Sequence, residues 1–410
     1  MKLLSAWAIS VLVLSEAITI AQNASSLSPS STPDQAALVE GSNAFAADLY
    51  AQLGRRDGNL FFSPESISTA FAMAYAGARG QTASEIAATF HFTLPQNRLH
   101  PAAGALLGDL NSPHTAYQLH VADALWAEKD FNFLEDYLKL TSTNYGAGLR
   151  RVDFKGEPEA VRGAINHWVE EKTENKITNL LPPGSVDTST RLVLTNAIYF
   201  KGDWEKQFEK SATADGDFHV SAAESVKAPL MHLESRFSYF EQPQFQALAI
   251  PYKTGELSMI VLLPRERTGL PALEKTMTPA NLRTWLGELS GSSKAILTLP
   301  KFKMTQDFEL GGMLSAMGMP DAFEKARADF SGMTGKRDFW IGAAVHKAYI
   351  DVNEEGTEAA AATGIVMQTM AMAVQQPPIV FRADHPFVFL IRDNRSGGIL
   401  FMGRVTDPTK

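Results

Sequence analysis

An α+β fold follows from the order of the patterns along the chain. Amphipathic helical patterns fill the first third, and strand patterns dominate beyond Arg191. From Asp34 onward no linker or internal repeat divides the 410-residue sequence. Gln35 to Leu53 carries apolar residues at helical spacing. Pro64 to Ala76 predicts a second helix, with Ser63 as N-cap and Pro64 in the first turn, where a missing N–H costs nothing. Thr82-Ala83-Ser84-Glu85 has the spacing of a capping box ahead of Ile86 to Phe90. Leu119 to Trp126 reads as a strand, and Phe131 to Thr143 and Glu157 to Lys172 as helices. Runs rich in β-branched and aromatic residues then predict strands. They are Leu192–Phe200, Phe245–Tyr252, Leu257–Leu263, Ala295–Phe302, Val345–Val352, Phe387–Ile391 and Ile399–Val405. So many long strands need more than one sheet.

Composition narrows the function. Apolar content of 45% and charged content of 20% fit an ordinary globular protein. A net charge of −8, with no run of four basic residues, argues against nucleic acid and anionic membranes as partners. Cysteine is absent, which excludes disulfides, thiol catalysis, Fe–S clusters and cysteine-type zinc sites. Stability must therefore come from a sizeable core. There is no Gly-x-Ser-x-Gly elbow, His-Glu-x-x-His, P-loop or dinucleotide fingerprint, and the nine histidines are scattered without ligand spacing. No enzyme, metal or cofactor is expected.

Lys2 precedes an apolar run from Leu3 to Leu14 that continues with one break to Ile20, and small residues follow around Ala21. That pattern predicts a secretory leader over residues 1–21, cut after Ala21 or Ala24, and export to the extracellular space or a periplasm. Residues 22–33, rich in Ser, Pro and Thr, read as a flexible linker, and residues 34–410 as one domain. No second apolar stretch approaches the length of a membrane span. Asn23-Ala24-Ser25 and Asn394-Arg395-Ser396 fit the glycosylation acceptor pattern.

The most telling stretch follows the strand Val345–Val352. It runs Glu354-Glu355-Gly356-Thr357-Glu358-Ala359-Ala360-Ala361-Ala362-Thr363. Ala and Glu favour helix, but the run is short, opens on Gly356 and has no apolar stripe at helical spacing. Period two makes better sense of it. Thr357, Ala359, Ala361, Thr363, Ile365, Met367 and Thr369 share one face, uncharged and small where it starts. Glu358, Ala360, Ala362, Gly364, Val366 and Gln368 share the other. Such a segment can slide into a crowded sheet as an added strand.

Other motifs point the same way. They are Asn59-Leu60-Phe61-Phe62-Ser63-Pro64-Glu65-Ser66-Ile67, Gly77-Ala78-Arg79-Gly80-Gln81-Thr82, and Ile165-Asn166-His167-Trp168-Val169. Further along come Thr195-Asn196-Ala197-Ile198-Tyr199-Phe200-Lys201-Gly202-Asp203-Trp204, His385-Pro386-Phe387-Val388-Phe389 and Leu400-Phe401-Met402-Gly403-Arg404-Val405. In this order and spacing, with the small-residue hinge, the sequence resembles the serpins, the serine-protease inhibitors, across nearly its whole length.

The resemblance implies about nine helices packed around three β-sheets, with an exposed reactive loop. It also implies a mechanism. A target serine protease attacks one loop bond, and an acyl-enzyme forms. The cleaved loop then inserts into the main sheet and traps the enzyme covalently, with the inhibitor a monomer. In this family the scissile bond lies 17 residues into the loop. Counting Glu354 as the first gives Met370–Ala371, with Met372 the alternative. No Lys or Arg occurs between Lys347 and Arg382, so an elastase-, chymotrypsin- or subtilisin-like pocket fits better than a trypsin-like one. Oxidation of Met370 would put a polar sulfoxide where that pocket is apolar. By resemblance, Ser63, Ser66, Asn196 and His346 form a polar cluster beneath the sheet, where strands must part. Trp204 lies at the top, where insertion starts, and Glu354 and Lys301 pair there. A heparin-like cofactor is not expected, since residues 93–111 hold only Arg98 as a formal cation. The alternatives are a non-inhibitory serpin acting as carrier or chaperone, and an inhibitor of a cysteine protease.

Overall fold

The computed structural model describes residues 32–112, 117–146, 149–357 and 377–410. The proposed leader, most of the linker and the loop from residue 358 to residue 376 lie outside the described residues. Helix α1 (Pro33–Leu53) opens on a capping box in which Gln35 N donates to Thr32 Oγ1 and Thr32 N donates to Gln35 Oε1. Thr32 and Pro33 therefore belong to the helix start rather than to a linker. Helix α2 (Pro64–Gly77) is capped by Ser63, whose Oγ accepts from Ser66 N at 3.2 Å.

Two helix expectations need correction, and one helix was not expected. Helix α3 (Gly80–Thr89) starts before the supposed capping box. Thr82 sits buried in its first turn and accepts from Asp329 N at 3.0 Å, so a distant partner takes the oxygen that a cap would use. Helix α4 (Gln96–Leu110) was hidden by its internal Pro101 and two glycines. Helix α5 (Glu135–Tyr145) begins four residues later than expected, because Phe131 and Phe133 pack on Phe339 at 4.3 and 5.5 Å. Helix α6 (Pro158–Lys172) is followed by the shorter α7 (Leu270–Thr276), α8 (Pro279–Glu288), α9 (Gly311–Ala316) and α10 (Ser331–Thr334).

The main sheet has six strands among the described residues, in the order β10 (Phe302–Glu309), β11 (Ala343–Val352), β12 (Gly356–Thr357), β4 (Leu192–Asp203), β2 (Tyr117–Glu128) and β3 (Leu149–Val152). The second sheet runs β1 (Leu60–Phe62), β15 (Ile399–Val405), β14 (Phe387–Asp393), β8 (Leu257–Pro264), β7 (Phe245–Pro251), β6 (Val226–Glu241), β9 (Ser293–Pro300) and β13 (Ile379–Arg382), with β5 (Ala214–Phe218) on β6. Strand β6 explains why the second and third of the expected sheets are continuous. It is 16 residues long, pairing with β7 through Ser238–Glu241 and with β9 through Leu230–Phe237. The expected strand Ala295–Phe302 is two strands, because β9 ends at Pro300 in the second sheet and β10 starts at Phe302 in the main sheet.

Both faces of β4 and β11 are covered. Ile198, Phe200, Ala348 and Ile350 pack toward Leu248, Met259, Phe389 and Phe401 of the second sheet. Val193, Ala197, Tyr199, Val345 and Tyr349 pack under Ile165 and Val169 of α6. That is why these two strands carry apolar residues on both faces rather than in strict alternation with polar ones. At about 1.5–3 kcal/mol per buried large side chain, this double layer holds the pair together.

Candidate functional site

Strands β4 and β11 run parallel and pair from Val193/Ala343 up to Tyr199/Tyr349. Above that point they part, and β12 lies between them, antiparallel to both. Thr357 sits opposite Val352 on one side and Gly202 on the other, and Gly356 sits opposite Asp203. Thr357 is fully buried and shares a 2.8 Å hydrogen bond with the Tyr252 hydroxyl. Gly356 is required here, because a Cβ would overlap the carbonyl oxygen of Gly202.

The hinge is fixed from above by main chain. Trp204 N donates to Glu355 O at 3.0 Å, Phe208 N to Glu354 O at 2.9 Å, and Trp204 Nε1 to Asn353 O at 3.0 Å. Trp204 itself is buried and stacks on Tyr252 at 4.5 Å. Lys301 Nζ lies 2.9 Å from the Glu354 carboxylate. Burial is the largest influence on Glu354 and disfavours its ionisation, but the hydrogen bond and charge of Lys301 together with further hydrogen bonds to the carboxylate outweigh it and hold the carboxyl below its ordinary range. Lys301 is half-exposed, so the pair is worth under about 1 kcal/mol and acts chiefly on hinge geometry.

Lower on the same sheet, Ser63, Ser66, Asn196 and His346 come together. His346 Nε2 accepts from Ser63 N at 3.1 Å, which leaves the proton on Nδ1, bonded to Asn196 Oδ1. Burial pushes the imidazole down to about 3, so it is neutral at physiological pH. Ser63 Oγ donates to Leu400 O at 2.7 Å, and Asn196 Nδ2 donates to Ser66 Oγ at 2.6 Å. The structure adds a member that sequence reasoning missed. Asp123 of β2 accepts from Ser66 Oγ at 3.1 Å and from Asn196 Nδ2. The residue keeps partial exposure, but its carboxyl lies beneath the sheet, and burial pushes it well above the ordinary carboxylate range. The one available signal was a lone acid within the otherwise uncharged run Leu119–Trp126.

The hinge thus lies at the top of the seam between β4 and β11, and the polar cluster bridges the middle of its paired stretch at Asn196 and His346. The cluster's hydroxyl–carboxylate contact, Ser66 to Asp123, involves a buried serine that also accepts from Asn196. Backbone of β12 fills the upper part of the seam, and from Tyr199 and Tyr349 downward the two strands pair directly. Ala359, Ala360, Ala361, Ala362, Thr363, Met370, Ala371 and Met372 lie outside the described residues. No three His, Asp or Glu side chains converge as a metal-ligand group among the described residues.

Comparisons with known proteins agree with this architecture. The family model for serpins, serine protease inhibitors, matches residues 40–408. The leukocyte elastase inhibitor of Equus caballus is 42% identical over 373 residues, covering 89% of this chain and 97% of that protein. Serpin B6 of Macaca fascicularis is 41% identical over 377 residues, covering 90% and 99%. Among solved structures, uncleaved ovalbumin superposes with a TM-score of 0.82 at 32% identity, covering 91% of this chain and all of that one. Serpin48 of the insect Tenebrio molitor gives 0.79 at 34% identity, covering 90% and 98%.

These relatives overturn the expectation of secretion. Leukocyte elastase inhibitors and serpins of the B group are intracellular and lack a leader. Residues 1–39 take no part in the family match. The expectation rested on Lys2, the apolar run and the small residues around Ala21, a local pattern read without any relative beside it. Fold, seam geometry and likeness lead to one conclusion: the chain belongs to the serpin family and is a protease inhibitor rather than a catalyst.

Proposed function

We propose that this protein is a suicide-type inhibitor of serine proteases with elastase-, chymotrypsin- or subtilisin-like specificity. It traps the acyl-enzyme by inserting the cleaved loop between β4 and β11, and works as a monomer with residues 34–410, together with the capping Thr32 and Pro33, as one folding unit. The observation that carries the reading is Thr357, already seated between the two strands. Continued one residue at a time, that register brings Ala361 between Ile198 and Ala348, Thr363 to Asn196 and His346, and Ile365 between Leu194 and Ala344. The small, uncharged loop face then meets the core, and the other face passes under α6. Antiparallel pairing on both sides replaces one parallel ladder.

The magnitudes suffice. About 14 inserted residues at ~3.3 Å each carry an attached enzyme ~45 Å along the sheet. A dozen new ladder bonds at ~1 kcal/mol net contribute on the order of 10 kcal/mol, comparable with the whole stability of an ordinary domain. The reactive bond is Met370–Ala371, with Met372 the alternative, and an unbranched apolar side chain there suits an apolar pocket. The elastase inhibitors among the relatives support the same specificity.

Separate incubation with neutrophil elastase, chymotrypsin, subtilisin and trypsin tests this on a denaturing gel, with released peptides weighed by mass spectrometry. A band at the summed mass with cleavage after Met370 is expected for at least one of the first three. Clean cleavage by all four with no such band would refute trapping and favour a non-inhibitory carrier or chaperone.

A further inference from the structure

Among the described residues, three large apolar side chains are exposed: Leu134, Ile296 and Val380. Two of them are neighbours. Val380 of β13 pairs in register with Ile296 of β9, and their exposures are 63% and 37%. Strand β13 ends its sheet. An open cleft of about 260 Å³ is lined by Val380, Arg382, Pro264, Arg265, Arg267 and His385, among others. Arg265 and Arg382 are paired with Glu241 and Asp384. His385 is buried and bonded to Asp384 and to Pro264 O. Arg267 is exposed and forms no ion pair among the described residues. An apolar pair flanked by an uncommitted cation and a polar rim has the anatomy of a small binding hot spot.

We propose that this patch is a second contact for the target protease, separate from the reactive loop. It takes an enzyme surface that presents an apolar side chain next to a carboxylate. The inference rests on the inhibitory reading above. What selects the protease as occupant is the length of chain on either side of the reactive bond. Thr357 is 13 residues before Met370, and Ile379 is nine residues after it. At ~3.3 Å per residue the tether to β12 reaches ~43 Å and the tether to β13 only ~30 Å. A bond after Met372 would make the second tether shorter still. A protease of ~240 residues has a radius of gyration near 17–18 Å, a body roughly 45 Å across. The shorter tether therefore holds the docked enzyme over the β13 end of the molecule, where the patch lies.

The contact belongs to the encounter alone. Once the loop inserts, the enzyme leaves for the far end of the main sheet. The patch therefore acts on the rate of association, and not on how many inhibitor molecules are spent per enzyme trapped.

The test measures association rate constants of the full chain and of Val380→Glu, Arg267→Glu and Leu134→Glu with the protease the parent traps fastest. Melting curves confirm folding. Val380→Glu is expected to slow association about tenfold and Arg267→Glu about threefold. Stoichiometry should stay unchanged, and Leu134→Glu, at the remote exposed leucine, should match the parent. Val380→Glu and Arg267→Glu both within a factor of about two of the parent would overturn the inference. So would a change in stoichiometry alone, or parental self-association that Val380→Glu abolishes, which would assign the patch to a second copy. If the parent forms no covalent band with any protease, the inhibitory reading itself fails, a result distinct from equal rates.

Discussion

Tyr199 and Tyr349 meet edge to face, ring centroids 5.6 Å apart at 71°, at the last paired position of β4 and β11. Above them the strands part and the hinge fills the gap. Lys176 and Lys303 lie 5.7 and 5.4 Å from the Tyr349 ring, and His120 stacks on Tyr199 at 5.0 Å. Any strand advancing down the seam must first separate these two rings.

Tyr349→Leu keeps an apolar side chain and removes the aromatic pair, worth ~0.5–1.5 kcal/mol. If opening the seam limits insertion, a synthetic peptide with the sequence of residues 357–368 should anneal to the variant two- to tenfold faster than to the parent, a factor converted from that energy. Native gel electrophoresis over time reads the rate. Equal rates in two folded proteins would move the limiting step elsewhere.

The hinge has no room for larger groups. Thr357→Arg would place a charge where the side chain is fully buried against Tyr252. Gly356→Ala would collide with Gly202 O. Both variants should still be cut by the target protease. Thr357→Arg should lose trapping almost entirely, with more than about ten molecules cleaved per enzyme inhibited. Gly356→Ala should fall between it and the parent, as titration of residual protease activity would show. Full trapping by Thr357→Arg would contradict the assigned register.

Asp123 and His346 give opposite pH signs. The Asp123 carboxyl is raised by burial, so its ionised form costs stability at neutral pH, and that cost fades as pH falls through the folded value. The folded value of His346, about 3, lies below the ordinary 6.5. Its contribution is complete above about pH 6.5 and is lost progressively toward pH 3, because the unfolded chain takes up the proton first. Asp123→Asn should therefore raise the melting temperature at pH 7.5 by a few degrees, and the gain should shrink as pH is lowered. In the variant, stability should fall below pH 6.5 more steeply than in the parent. A gain that persists unchanged at acid pH would remove the buried charge from the account.

Much of this was legible in the residues themselves. A hinge of Gly, Thr and Ala with period two has few structural uses, and Gly356–Thr357 does lie in the sheet. Strand Ile399–Val405 is found where its pattern places it. What stayed hidden depends on distant partners. Asp123 gains its meaning from Ser66 and Asn196, 57 and 73 positions away. Thr82 looks like a cap until Asp329 claims its oxygen. The union of two sheets rests on the length of β6, which has no apolar alternation along its polar middle. Helix α4 is masked by its own proline and glycines.

The central claim is that the loop gains stability by entering the seam. Its most direct test compares the melting temperature of the intact protein with that of the same protein cut once within residues 364–372. About a dozen added hydrogen bonds at ~1 kcal/mol each, over an unfolding entropy near 0.8 kcal/mol/K for a chain of this length, predict a rise of at least about 10 °C. A cut protein that melts at or below the intact one would contradict the account.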